Sequence, residues 1–214
     1  MTATVYLRHR SAGHEHVPRE GGFLLAPNHA SYLDPVLVGC RVRRPIHFMA
    51  RATLFRGPLG ALIRRLNAFP VNRGGVSKEA IRSVLELLAD RQGVLVFPEG
   101  TRSEDGHLGK IETGVVRIAQ LAGVPVVPAY VSGSYRALGR GASFPRPVPT
   151  SVRFGPPLRF ERGADPEVCA AALRGSLLAL GAPFEFADRR DDSLDGDAVI
   201  VREPSAHGPV APKP

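Results

Sequence analysis

Short apolar runs recur along this 214-residue chain at 23–26, 46–49, 94–97, 126–131 and 152–154. Each has the length of a strand, and between them the spacing of apolar positions changes to a helical period. Over 77–90, Ile81, Val84, Leu85 and Leu88 fall at i, i+3, i+4 and i+7, with Ser77 placed to cap the helix. Gly93 then closes the connection to the next strand. A second helix is expected over 114–122, stopped by Gly123 and Pro125. A third spans 166–180, opened by Asp165-Pro166 and closed by Gly181. Residues 2–8 read as an additional first strand, joined to the next by a polar loop ending at Gly22.

Strands alternating with helices imply an α/β class: one domain with a mixed, largely parallel sheet covered by helices. Residues 1–186 form the expected domain. After Phe186 the character changes, with Asp191, Asp192, Asp195 and Asp197 followed by four prolines. Residues 187–214 are therefore expected to be a disordered acidic, proline-rich tail. No stretch reaches the ~20 predominantly apolar residues of a membrane-spanning helix. The longest uncharged segment, 118–135, is broken by Gln120, Gly123, Pro125, Pro128 and Gly133. The first residues carry no signal-peptide pattern. A cytoplasmic protein, peripheral on the inner face of the cell membrane, is the expectation.

Charge narrows the partners. The net charge is +8, and residues 185–214 hold seven acidic against four basic side chains, so the body is more basic than the whole. Such a surface attracts phosphates on a membrane, a substrate or a nucleic acid. A GC-rich coding bias explains an excess of arginine equally well. No helix-turn-helix signal or aromatic RNA-binding pattern accompanies the charge, so nucleic acid is not an expected partner. Cys40 and Cys169 have no metal-ligand spacing and read as small buried residues. His14-Glu15-His16 lacks a third ligand, so no metal site is expected.

Candidate chemistry lies in two segments that follow apolar runs. Asn28-His29-Ala30-Ser31-Tyr32-Leu33-Asp34-Pro35 sets a histidine and an aspartate five positions apart. A carboxylate bound to one imidazole nitrogen leaves the other free to take a proton from a hydroxyl. Asp34-Pro35 reads as an N-cap followed by proline in a first helical turn, which leaves His29 in the strand-to-helix loop. On a continuous helix that offset would point the two side chains apart, whereas a bent loop brings them together. Downstream, Phe97-Pro98-Glu99-Gly100-Thr101-Arg102-Ser103 offers a glycine for close approach and a planar fork of donors suited to phosphate. Both segments follow strands, so both could open onto one crevice at the carboxyl ends of the sheet.

Taken together, these segments resemble the glycerophospholipid acyltransferase family of the 1-acylglycerol-3-phosphate acyltransferase type. The likeness runs through the motif-bearing core, residues 22–155. Phe69-Pro70-Val71-Asn72-Arg73 looks like the family's second motif and Val124-Pro125-Val126-Val127-Pro128 like its fourth. The resemblance implies transfer of an acyl chain from acyl-CoA or acyl carrier protein to the hydroxyl of 1-acylglycerol 3-phosphate, giving phosphatidic acid. By the same likeness His29 and Asp34 are catalytic, and Arg73, Glu99, Gly100, Thr101 and Arg102 bind substrate. The implied partners are a lyso-lipid acceptor, an acyl thioester donor and an anionic membrane surface, with no cofactor.

One departure bears on the acceptor. Family members often carry Phe-Lys before the glycine after the third motif; here Ile111 and Glu112 stand before Gly114, with Lys110 two positions earlier. Another lipid acceptor, or a non-catalytic lipid-binding protein of this fold, therefore stands as an alternative. Many members also carry membrane helices upstream of the histidine, where this sequence has 28 residues. Membrane access is then read into 54–66, where Leu54, Phe55, Leu59, Leu62, Ile63 and Leu66 alternate with arginines. An ordinary core-facing helix is the other reading of that pattern. Gly57, Pro58 and Gly60 are expected to break any helix before Ala61.

Overall fold

The computed structural model describes residues 6–71 and 78–182. Seven strands form a single sheet in the order β1-β7-β6-β2-β5-β3-β4. They are β1 (Arg10–Ala12), β2 (Phe23–Pro27), β3 (Ile46–Arg51), β4 (Ala68–Val71), β5 (Gly93–Leu95), β6 (Val126–Ser132) and β7 (Ser151–Phe154). Every pairing is parallel except β6 with β7. Among the described residues five α-helices connect them, α1 (Asp34–Gly39), α2 (Gly57–Arg65), α3 (Lys78–Ala89), α4 (Gly114–Ala122) and α5 (Ser134–Leu138), and a sixth, α6 (Pro166–Gly181), follows β7.

The central strands are apolar throughout because the sheet is covered on both faces. Leu24, Val94 and Val126 face a core built with Val84 and Leu88 of α3, Val116 and Ala119 of α4, and Leu173 and Leu177 of α6. Their neighbours Phe23, Leu25, Leu95 and Val127 face the opposite core with Leu37 and Val38 of α1. The expected helix ends also hold. The Asp165 carboxylate accepts the Glu167 N–H ahead of Pro166, and Gly123 adopts φ +66° after α4.

The ends of the sheet differ from the sequence pattern. Of the expected strand at 2–8, the described residues 6–8 form helix and turn, and the first strand among the described residues is β1, at 10–12. Both β1 and β4 are short edge strands: β1 carries Arg10 and Ser11, and β4, although apolar in sequence, is only part-buried, with Pro70 exposed. The expected break before Ala61 does not occur, and α2 begins at Gly57. Pro58 stands in the first turn, where a backbone N–H has no helical partner to lose. A Cβ on Gly60 would lie 2.3 Å from the Phe55 carbonyl carbon, so this glycine permits contact with the preceding 3₁₀ turn, Ala52–Phe55.

Candidate active site

Parallel pairing of β2 with both β5 and β6 brings three carboxyl ends together at one edge of the sheet. The β2 chain leaves the sheet at Asn28, whose side chain replaces the lost backbone pairing. Its amide donates to the Val131 carbonyl at 3.1 Å and its oxygen accepts the Val131 N–H at 2.6 Å. The main chain is thereby free to turn, and His29 occupies the loop between β2 and α1.

Asp34 is the first residue of α1, not its N-cap, which is Leu33. Its carboxylate serves the preceding loop instead of its own helix. Oδ2 accepts from His29 Nδ1 at 2.9 Å and from the N–H groups of Ala30 and Ser31 at 2.7 Å each. These bonds bend the loop and bring together two side chains that a continuous helix would separate. Asp34 is 0% exposed and the His29 side chain 17% exposed, so the pair has one buried and one accessible member. An ionised carboxylate can only accept, which places the proton on Nδ1 and leaves the Nε2 lone pair available to a ligand.

The segment after β5 grips His29 from the other side. The Phe97 ring stacks on the imidazole, centroids 3.6 Å apart and planes 13° apart. Glu99 Oε1 accepts the His29 N–H at 2.7 Å, and the Ser103 N–H donates to the His29 carbonyl at 2.7 Å. Glu99 Oε2 accepts the Gly109 N–H at 2.8 Å. Both carboxylate oxygens are thus held by backbone. Burial pushes the Glu99 carboxyl above its ordinary value, and those two N–H bonds oppose the shift. Gly100 takes φ +67°, the left-handed conformation that this turn requires, and a Cβ there would meet nothing closer than Glu112 Cγ at 4.0 Å.

Arg102 lies over the Tyr32 ring, 3.6 Å from its centroid, and its Nη2 donates to the Tyr32 hydroxyl at 2.9 Å. Its Nη1 is buried and has no hydrogen-bond partner. Thr101 is exposed beside it. Arg73 and Ser77 lie outside the described residues, as do residues 2–5 and the expected tail. Lys110 is exposed and lines a recess against α6 with Glu167 and Arg174. Glu112, tied through its N–H to the Pro98 carbonyl at 2.8 Å, is the residue that borders the glycine turn. Cys169 is buried as expected, whereas Cys40 is exposed.

Sequence reasoning assigned no part to Tyr32, Phe97 or Ser103. Phe97 and Ser103 were visible as members of the motif, but no sequence signal pairs Tyr32 with a residue 70 positions away. Among the described residues no group of three or more His, Cys, Asp or Glu side chains could hold a metal ion. No helix among them is long and apolar enough to cross a membrane.

A mixed α/β sheet with a carboxylate-held imidazole at its carboxyl edge is a scaffold for general-base chemistry on a hydroxyl. The chain belongs to the acyltransferase family, whose profile matches residues 8–132. It is 35% identical over 122 residues to a 1-acyl-sn-glycerol-3-phosphate acyltransferase of Bacillus subtilis, covering 56% of this chain and 60% of that protein. A protein of the same name from Limnanthes douglasii is 30% identical over 156 residues, covering 70% of this chain and 54% of that one. The chain thus spans little more than half the length of these relatives. The crystal structure of the 1-acyl-sn-glycerophosphate acyltransferase PlsC from Thermotoga maritima superposes with a TM-score of 0.70 at 26% identity, covering 83% of this chain and 73% of that one.

Proposed function

We propose that this protein transfers a fatty acyl chain from an acyl thioester to the free hydroxyl of 1-acylglycerol 3-phosphate, yielding phosphatidic acid. The observation that carries the reading is the 2.9 Å contact between His29 Nδ1 and a fully buried Asp34, which leaves the Nε2 lone pair of a partly exposed imidazole available. The names of the relatives support the choice of acceptor.

In this mechanism His29 Nε2 takes the hydroxyl proton as the acceptor oxygen attacks the thioester carbonyl. Asp34 fixes the tautomer and stabilises the imidazolium that forms. The tetrahedral intermediate collapses with loss of the thiolate, and the imidazolium returns its proton to that sulfur. The acceptor hydroxyl is itself the nucleophile, so no acyl-enzyme forms. Arg102 offers the acceptor phosphate a guanidinium whose buried Nη1 has no protein partner and would pair once the ligand uncovers it. Arg73 is assigned to the same phosphate by its motif. Glu99 acts by holding the backbone of His29, and Gly100 and Thr101 shape the adjoining turn. The lipid acceptor implies work at a membrane surface, with an anionic inner leaflet suiting a basic protein.

Thioester consumption by the purified protein with palmitoyl-CoA and a panel of lyso-lipids, beside His29→Ala, tests the reading. Activity confined to 1-acylglycerol 3-phosphate and abolished in the variant supports it. A parallel series with palmitoyl-acyl carrier protein assigns the donor. Silence with both donors overturns it. A second reading keeps the chemistry and changes the acceptor head group, and the exposed Glu112 beside Gly100 favours it. Preference for a zwitterionic lyso-lipid, moving toward the phosphate monoester in Glu112→Lys, would establish that reading.

A further inference from the structure

We propose that the loop at residues 140–147 seats the site-bearing edge of the sheet on an anionic lipid bilayer, with Phe144 as its inserting side chain. Phe144 is 82% exposed, and so open an aromatic is flanked by a stretch in which every residue from 140 to 147 is exposed. A single exposed apolar residue is ordinary; the position and company of this one are not. The loop lies between β6 and the antiparallel β7, so it stands at the edge where β2 and β5 end and His29 sits. It follows α5, whose Leu138 carbonyl accepts the Ser31 hydroxyl of the His29 loop at 2.7 Å.

Two more aromatic side chains open at this edge. Tyr6 precedes β1, which runs parallel to β7 and therefore starts from the same side, and its hydroxyl donates to the Pro145 carbonyl at 3.2 Å. Tyr32 belongs to the His29 loop itself. At 50% and 58% exposure these join Phe144 as the exposed aromatics among the described residues, and all three share one edge. Aromatic rings collected at one level are the arrangement that bilayer interfaces favour.

The base of the loop is already fixed. The Arg146 N–H donates to the Ala137 carbonyl at 2.8 Å and the Ala142 N–H to the Gly139 carbonyl at 3.2 Å. Insertion therefore orders little new backbone. Arg140 and Arg146 flank Phe144, and Arg136 is exposed on the helix below. The facing acidic groups are Glu104, ion-paired with Arg140, and Asp105. The surplus of cations around an apolar tip fits anionic head groups above apolar tails. The basic segment at 54–66 is less open, because Arg64 covers the Phe55 ring at 5.4 Å and donates to its carbonyl.

The proposal rests on the acyltransferase reading for a lipid substrate, but its test needs no catalysis. The sequence contains no tryptophan, so Phe144→Trp in the full chain introduces a single indole. With phosphatidylglycerol vesicles its emission should shift to the blue and be quenched by brominated acyl chains, and neutral phosphatidylcholine vesicles should bind less. Phe144→Ser, at an exposed position, should keep the parent melting temperature and lower vesicle partitioning about tenfold. An unshifted indole on vesicle-bound protein, equal binding by Phe144→Ser, equal binding to neutral vesicles or no vesicle binding at all would each overturn the proposal. An emission that shifts with protein concentration but not with vesicles would assign the loop to contact between copies instead. A shift in a preparation without transferase activity supports the docking edge and leaves the catalytic reading to fail alone.

Discussion

Replacing Asp34 by Asn tests the charge of the buried carboxylate with little change in its shape. The amide oxygen can keep the place of Oδ2, which accepts from His29 Nδ1 and from the Ala30 and Ser31 N–H groups. Its NH₂ takes the place of Oδ1, which has no hydrogen-bond partner. The loop should therefore survive, whereas Asp34→Ala would leave buried N–H groups unmatched at about 1–3 kcal/mol each. Catalytically, the loss is the attraction between carboxylate and developing imidazolium. At 2.9 Å and an effective dielectric of about 20, a full charge on the ring is worth about 6 kcal/mol. A proton half transferred in the transition state makes that about 3 kcal/mol, or a roughly hundredfold fall in kcat. Steady-state assays with saturating thioester should find that fall in kcat, with KM for the acceptor within threefold. A kcat within threefold of the parent, or a loss confined to KM, would refute a carboxylate role that depends on charge in the transition state.

Three further outcomes follow from the same geometry. Glu99→Gln places an amide NH₂ against either the His29 or the Gly109 N–H, and should cost about 1–3 kcal/mol; an unchanged thermal unfolding midpoint would show that the clamp does not hold the loop. Tyr32→Ala removes the ring beneath Arg102, an exposed contact worth about 1 kcal/mol. KM for the phosphate acceptor should rise about fivefold with kcat nearly constant, and Tyr32→Phe, which keeps the ring, should stay near the parent value. His9 is buried, with Nε2 donating to the Leu37 carbonyl at 3.0 Å and Nδ1 accepting from the Thr150 hydroxyl at 2.9 Å. Burial, with Arg41 as a lesser cause, lowers its pKa from 6.5 to about 4. The unfolded chain therefore takes up the proton first as the pH falls. Stability is full above pH 6.5 and lost toward pH 4, by up to about 3 kcal/mol. Unfolding midpoints from pH 7 to 4.5 should show a slope that His9→Gln flattens, and an equally steep slope in the variant would assign it to other groups.

Much of this architecture was legible because double coverage of the sheet writes its central strands as unbroken apolar runs. The edge strands are harder to read: β1 holds Arg10 and Ser11, and β4 is a four-residue apolar stretch that packs only part-buried at the rim. Chain order also hides strand order, since β5 inserts between β2 and β3. That insertion sets Phe97, Glu99 and Ser103 against His29 and Arg102 over Tyr32, contacts invisible in linear spacing. The His29–Asp34 pair was readable as candidate chemistry, but the cause of its closure was not. Two backbone N–H groups share the carboxylate oxygen, and they bend the loop. At α2, glycine and proline were read as breakers, when one marks a close approach and the other a first turn.

The hold on His29 has a consequence for discrimination between substrates. Its peptide N–H and carbonyl are both taken by the segment that carries Arg102 three residues beyond Glu99. In the proposed reaction anchor and base are therefore mounted on one part, and a head group that drags the guanidinium aside would also tilt the imidazole. An ill-fitting acceptor would bind and then react slowly, because its error appears in the angle of proton transfer and not only in occupancy. Selectivity built this way is read in turnover, and competition binding alone would understate it.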